Sequence, residues 1–136
     1  MRPEPKDEGR RWLDQAVRDL DDARFAREGG RHSLACFLCQ QAAEKAVKAF
    51  LVTEGEEVVW GHSVADLCAR AAAFDQRFTD LRGDAASLDL LYVPTRYPNG
   101  LPGGLPADAF HKDDADRALA RAERVIGSVR SALETA

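Results

Sequence analysis

Two short stretches carry side chains whose chemistry goes beyond packing. In the first, Gln40, Gln41, Glu44, Lys45 and Lys48 recur at three- and four-residue spacing, which puts them on one flank of a helix. Amide, carboxylate and ammonium groups side by side can hydrogen-bond a base, a ribose or a phosphate. They also suit a solvated face, because Glu44 and Lys48 form an i,i+4 pair in the favourable order, worth only about 0.2–0.5 kcal/mol. The flank adjoins an otherwise hydrophobic helix, which favours a groove. The second stretch is Arg96-Tyr97-Pro98. An Arg fork grips phosphate with two hydrogen bonds, and a Tyr ring stacks on a base. The same pair serves as a loop anchor if Arg96 bonds helix carbonyls and Tyr97 packs on the bundle. His62 lies just before a Ser that can cap a helix, and a lone His there is either locally bonded or turned to a ligand. Trp60 beside it either covers a pocket or packs at the helix start.

Other chemistries find little support. Cys36-Phe37-Leu38-Cys39 supplies one thiol pair, whereas a structural zinc site needs four ligands, and both thiols fall on an apolar stripe. The phosphate-loop, dinucleotide and nucleophile-elbow glycine patterns are missing, as is Glu-x-x-His, so neither metal nor cofactor is expected. Lys and Arg number 19 against 23 Asp and Glu, a net charge of −4, which argues against gripping nucleic acid by overall charge and leaves room for a local basic pocket. Three Cys without framework spacing fit a reducing, cytoplasmic setting. The longest uncharged run in an apolar stretch, His32 to Ala43, is too short for a membrane span, which takes about 20 residues.

These groups must be positioned by helices, because no strand pattern competes. With 136 residues, one domain over 9–136 behind a flexible 1–8 is expected. The first helix, about Gly9 to Glu28, carries Trp12, Leu13, Ala16, Val17, Leu20 and Ala23 on one stripe and ends at Gly29-Gly30; Phe25 falls off the stripe and either caps the end or faces a partner. The second, His32 to Glu54, buries Cys36, Cys39, Ala43, Val47 and Phe50, and Leu34, Phe37 and Leu38 predict burial all round in its first half. Ser63 predicts a third helix in a capping box with Asp66, and Thr79 a fourth bearing Leu81, Ala85, Leu88 and Tyr92 and stopped by Pro94. Residues 93–110, rich in Pro and Gly, read as a long loop. A last helix from Lys112 carries Ala115, Ala118, Leu119, Ala122, Val125, Ile126, Val129 and Leu133. The fold class is therefore all-α: an antiparallel four-helix bundle with one additional short helix and the long loop before the last member.

Taken together, the segments resemble the HEPN family of small helical domains. The likeness runs from about Trp12 to Leu133 and rests on four motifs in order. They are Ala16-Val17-Arg18-Asp19-Leu20-Asp21-Asp22-Ala23, the helix from Phe37 through Gln40-Gln41-Ala42-Ala43-Glu44-Lys45 to Leu51, His62-Ser63-Val64-Ala65-Asp66-Leu67, and Tyr92 through Arg96-Tyr97-Pro98. The resemblance implies a bundle that dimerises, with a groove near the Arg-bearing loop. It also implies a partner, a minimal nucleotidyltransferase, in a toxin–antitoxin-like or defence pair. Several branches of the family are metal-independent ribonucleases with Arg, four to six residues, then His. Here Leu101, Pro102 and Gly103 occupy the positions after Arg96 where that His would fall, and the next His is His111. Arg27 and His32 do have the spacing, but at the first inter-helix turn.

The expected function is a nucleotide- or RNA-binding module. Arg96 would hold phosphate, Tyr97 would stack, and Lys45 and Lys48 would add positive potential; Glu44 would orient Arg96 or accept from a base or ribose, with Gln41 and His62 completing the set. The alternative is a ribonuclease built from Arg96 with His111 or His62. A third reading is an interaction domain with no ligand. Phe25 and the apolar half of the second helix predict a homodimer.

Overall fold

The computed structural model describes residues 3–57 and 59–135, and every regular element among them is helical. α1 (Pro5–Glu28) starts earlier than its apolar stripe predicts. Pro5 stands in the first turn, where its missing N–H and fixed φ are tolerated, and Asp7 and Glu8 lie at the positive end of the helix dipole. The stretch 1–8, expected to be flexible, is therefore helical from Pro5; Met1 and Arg2 lie outside the described residues. α1 stops where Gly30 adopts φ +77°, which lets the Arg31 N–H return to the Ala26 carbonyl at 2.8 Å.

α2 (His32–Thr53) then runs back along α1. Ala16 and Ala23 on α1, and Ala35, Ala42, Ala43, Ala46 and Ala49 on α2, are fully buried, and these small side chains draw the two helices together. The approach is tightest at Gly9: a Cβ there would overlap Thr53 Oγ1 and lie 2.9 Å from the Ala49 carbonyl oxygen. The stripe Cys36, Cys39, Ala43, Val47 and Phe50 is buried as the periodicity predicts. The expectation of all-round burial fails at Leu34, which is 48% exposed. Phe25 caps nothing; it stands 79% exposed on the outer face of α1.

α3 (Val64–Ala71) begins at Ser63, whose Oγ accepts the Asp66 N–H at 3.1 Å, the N-cap half of the expected capping box. Thr79 does not start the next helix. It lies inside a 3-10 turn, Gln76–Leu81, which places Phe78 against Phe50 with ring centroids 4.6 Å apart. α4 (Arg82–Asp89) follows directly and is short. The 93–110 segment is more structured than a loop: it holds a 3-10 turn at Pro98–Gly100 and one helical turn, α5 (Pro106–Ala109). α6 (Lys112–Glu134) closes the bundle antiparallel to α1, tied to it by Arg27–Asp116 at 2.7 Å and Arg24–Glu123 at 3.2 Å. α1, α2 and α6 are the long members of a four-helix arrangement, and residues 64–89 fill the fourth position as two short helices. No described helix is long and apolar enough to cross a membrane.

Candidate functional site

The polar flank of α2 is mostly turned inward, with Gln41 and Lys45 partly exposed. Gln40, Glu44 and Lys48 are all buried, because α2 is covered by α1 on one side and by the segment before α3 on the other. Buried polar groups need partners, and each has them. The Glu44 carboxylate accepts from Lys48 Nζ at 3.1 Å and from Gln40 Nε2 at 3.2 Å, and it meets His62 Nδ1 at 3.3 Å. Gln40 Nε2 also donates to the His62 carbonyl at 3.0 Å, while its Oε1 accepts from Gln41 Nε2 at 2.7 Å. One turn on, Lys45 Nζ bonds Asp19 Oδ2 at 2.5 Å, and Gln15 supports the same carboxylate at 2.8 Å. The two lysines expected to add positive potential are thus neutralised by Glu44 and Asp19. Lys48 lies in addition 5.9 Å from the Trp12 ring centroid.

His62 is held by more than Glu44. Its ring stacks on Tyr92 at 4.9 Å and 18°, yet its side chain stays 60% exposed. The residues that follow it are pinned by Asp89 at the end of α4. Its carboxylate accepts from Ser63 Oγ at 2.7 Å and from the backbone N–H groups of Val64 at 2.6 Å and Ala65 at 3.2 Å. The positive N-terminus of α3 is thereby matched to a buried-edge anion.

Arg96 reaches the same Tyr92 from the other direction in sequence. Its Nε donates to the Tyr92 carbonyl at 2.8 Å, and its guanidinium carbon lies 4.3 Å from the Phe37 ring centroid, 4.6 Å from Tyr92 and 5.0 Å from Tyr97. Such contacts hold an Arg in place and leave its outer N–H groups free. Among the described residues no carboxylate pairs with Arg96, although most of the arginines around the bundle have an acidic partner. Tyr97 is 52% exposed.

The structure therefore joins Arg96, Tyr97, His62, Glu44, Gln41 and Lys48 in one chain of contacts, with a correction to the expected wiring. Glu44 orients His62, not Arg96, and the link between the Arg and the polar flank is the Tyr92 ring. His111 stands apart: it begins α6, donates its N–H to Asp114 at 2.8 Å, and shares no hydrogen bond, ion pair or ring contact with Arg96 or His62 among the described residues. Arg27 is engaged by Asp116 and belongs to the α1–α6 seam. Sequence reasoning missed three contributors. Tyr92, read as a core position of the fourth helix, lies just past α4 and is half-buried; its place four residues before Arg96 was the available signal. Phe37, read as buried apolar surface, is the platform for Arg96. Asp89 gave no signal.

The three thiols are free and sealed in the core; burial pushes Cys36 and Cys68 up to about 12, and Cys39 rises for the same reason. The described residues contain no cluster of His, Cys, Asp and Glu suited to a metal ion.

Comparison with known proteins agrees with the helical fold. The sequence pattern described as HEPN domain matches residues 10–132. A crystal structure of a Thermus thermophilus protein superposes with a TM-score of 0.86 at 37% identity, covering 90% of this chain and 96% of that one. An archaeal HEPN homologue gives 0.77 at 38% identity over 92% and 97% of the two chains. A HEPN domain protein of Thermotoga maritima gives 0.73 at 32% over 91% and 98%. In Methanocaldococcus jannaschii, a protein whose name calls it a candidate toxin is 26% identical over 133 residues, 90% of this chain and 86% of that protein.

Proposed function

The chain belongs to the HEPN domain family, and from that premise we propose that it binds the phosphate of a nucleotide or of RNA as one half of a toxin–antitoxin-like pair. One observation carries the reading. The Arg96 guanidinium is fixed on three aromatic rings and by one backbone bond, while no carboxylate among the described residues occupies its outer edge. A guanidinium so placed is a preorganised fork for a phosphate oxygen pair. Tyr97 beside it offers an exposed ring for a base. The toxin half of the reading draws on the named archaeal relative. The second half of the pair is a minimal nucleotidyltransferase, and the working form is a cytoplasmic homodimer. The half-exposed Leu34 on the flank shared with Phe37 supports the homodimer.

A ribonuclease built from Arg96 and His62 is the second reading. It is favoured over one using His111 because His62 and Arg96 touch one ring. Fluorescence anisotropy with a labelled single-stranded RNA tests the proposal. Binding in the wild type should weaken with salt, and Arg96→Ala should lose at least tenfold in affinity while melting within a few degrees of the wild type. Equal affinity of the two proteins removes the phosphate role of Arg96. Incubating the RNA with protein in EDTA reads cleavage in the same samples.

A further inference from the structure

The edge of α2 that meets Arg96 continues to a second group of cations. Phe37, the platform for Arg96, shares that edge with Gln41, Glu44 and Lys48. At about 100° per residue the four fall within roughly 60° of arc, and Phe37 and Lys48 stand about 16 Å apart along the axis. At the Lys48 end the wall is α1. Trp12, half-buried, lies 5.9 Å from the Lys48 ammonium and lines a groove of about 640 Å³ with Glu8, Arg11, Asp14, Arg18 and Lys45. Small-ligand sites run from about 300 to 1,000 Å³, so the groove has room for a nucleotide.

The charges in this groove do not balance. Arg11 bonds Glu8 at 2.9 Å, Lys45 is taken by Asp19 at 2.5 Å, and Asp14 pairs with Arg10 at 3.5 Å. Arg18 is exposed, and among the described residues no carboxylate pairs with it. An aromatic ring beside an unmatched guanidinium suits a single nucleic-acid strand, whose base stacks while its phosphate meets the charge. We propose that the groove is a second contact for the strand held at Arg96, with a base on Trp12 and the neighbouring phosphate on Arg18. The inference rests on the phosphate role of Arg96 and goes beyond it, because it makes the ligand an oligonucleotide. A strand stacked as in a duplex advances about 3.4 Å per nucleotide, so covering about 16 Å takes roughly five steps. A dinucleotide falls short of that span and an octamer exceeds it.

The chain has two tryptophans, and Trp60 is 78% exposed, so Trp60→Phe should fold and leave Trp12 as the sole tryptophan. In that background, octa-adenylate RNA should quench the Trp12 fluorescence as a base stacks on it. The adenylate dinucleotide, followed by competition for a labelled octamer, should bind without quenching. The octamer should bind about tenfold more tightly than the dinucleotide, the worth of one stacked base. Arg18→Ala, an exposed change checked by circular dichroism, should remove most of that advantage and leave dinucleotide affinity unchanged, whereas Arg96→Ala should weaken both ligands. If the octamer binds and Arg96→Ala abolishes binding, but Trp12 emission does not change, the phosphate reading survives and this inference is refuted. Equal quenching by the dinucleotide, or an octamer affinity untouched by Arg18→Ala, also refutes it. Failure of both ligands to bind overturns the reading beneath it and this inference together.

Discussion

Lys48→Met isolates the interior charge pair of α2. Lys48 and Glu44 keep only 8% and 6% of their side-chain surface in contact with solvent, and they lie 3.1 Å apart. Methionine keeps an unbranched stem of similar length and removes the ammonium, which also lies 5.9 Å from the Trp12 ring centroid. The Glu44 carboxylate is left with the Gln40 amide and the His62 ring as its donors. Breaking a buried pair from one side costs about 3–5 kcal/mol, and the two remaining donors place this case near the lower end, at about 3 kcal/mol. For a chain of this size that is a fall of about 10 °C in Tm. The double variant Lys48→Met/Glu44→Gln removes the orphaned charge as well and should return to within about 1 kcal/mol of the wild type. Urea denaturation followed by circular dichroism gives both numbers, provided the m-value is constant across the set. The reasoning is refuted if Lys48→Met unfolds within experimental error of the wild type, or if the double variant is no more stable than the single one.

Two further outcomes follow from the charges and thiols elsewhere. Arg124 holds Asp84 with two hydrogen bonds of 2.9 and 2.8 Å across α4 and α6, and this keeps the Asp84 carboxyl below its ordinary value. Asp84 therefore contributes stability above the unfolded carboxylate value of about 3.9 and loses it as pH falls through its lower folded value. Asp84→Asn should be less stable by about 1 kcal/mol at neutral pH, a modest figure because Arg124 is largely exposed. The gap should narrow as pH falls below the ordinary carboxylate value, as read from paired urea titrations; a gap that widens with acid overturns the assignment. Burial raises all three thiols, Cys36 and Cys68 to about 12. A thiol-specific disulfide reagent at about pH 8 should leave the native protein unlabelled and label three sites in urea; rapid labelling of the native chain would show that the core opens.

The parts of the fold legible in the sequence are those with a helical period of their own. The Cys36–Phe50 stripe, the Ser63 cap and the Gly30 stop each depend on residues within a turn or two of one another, and local spacing carries that information. The start of α4 and the turns inside 93–110 were not legible, because 3-10 bonds join residues three apart without an apolar rhythm. At the site, residue types pointed to the members, while their wiring depended on which helices met. Glu44 reaches His62, and Lys45 reaches Asp19, across gaps in sequence that no periodicity encodes.

Because Gln40 and Glu44 sit in the packed interior of α2, the proposed site shares its atoms with the integrity of the bundle. Evolutionary drift at those positions is penalised twice, whatever the ligand. Adaptation to a new ligand has freer ground on the open rim, at Tyr97 and along the 98–105 turns, where side chains meet solvent and replacement leaves the packed interior undisturbed. Related chains that differ in what they recognise should accordingly diverge first at that rim and last along the inward edge of the second helix.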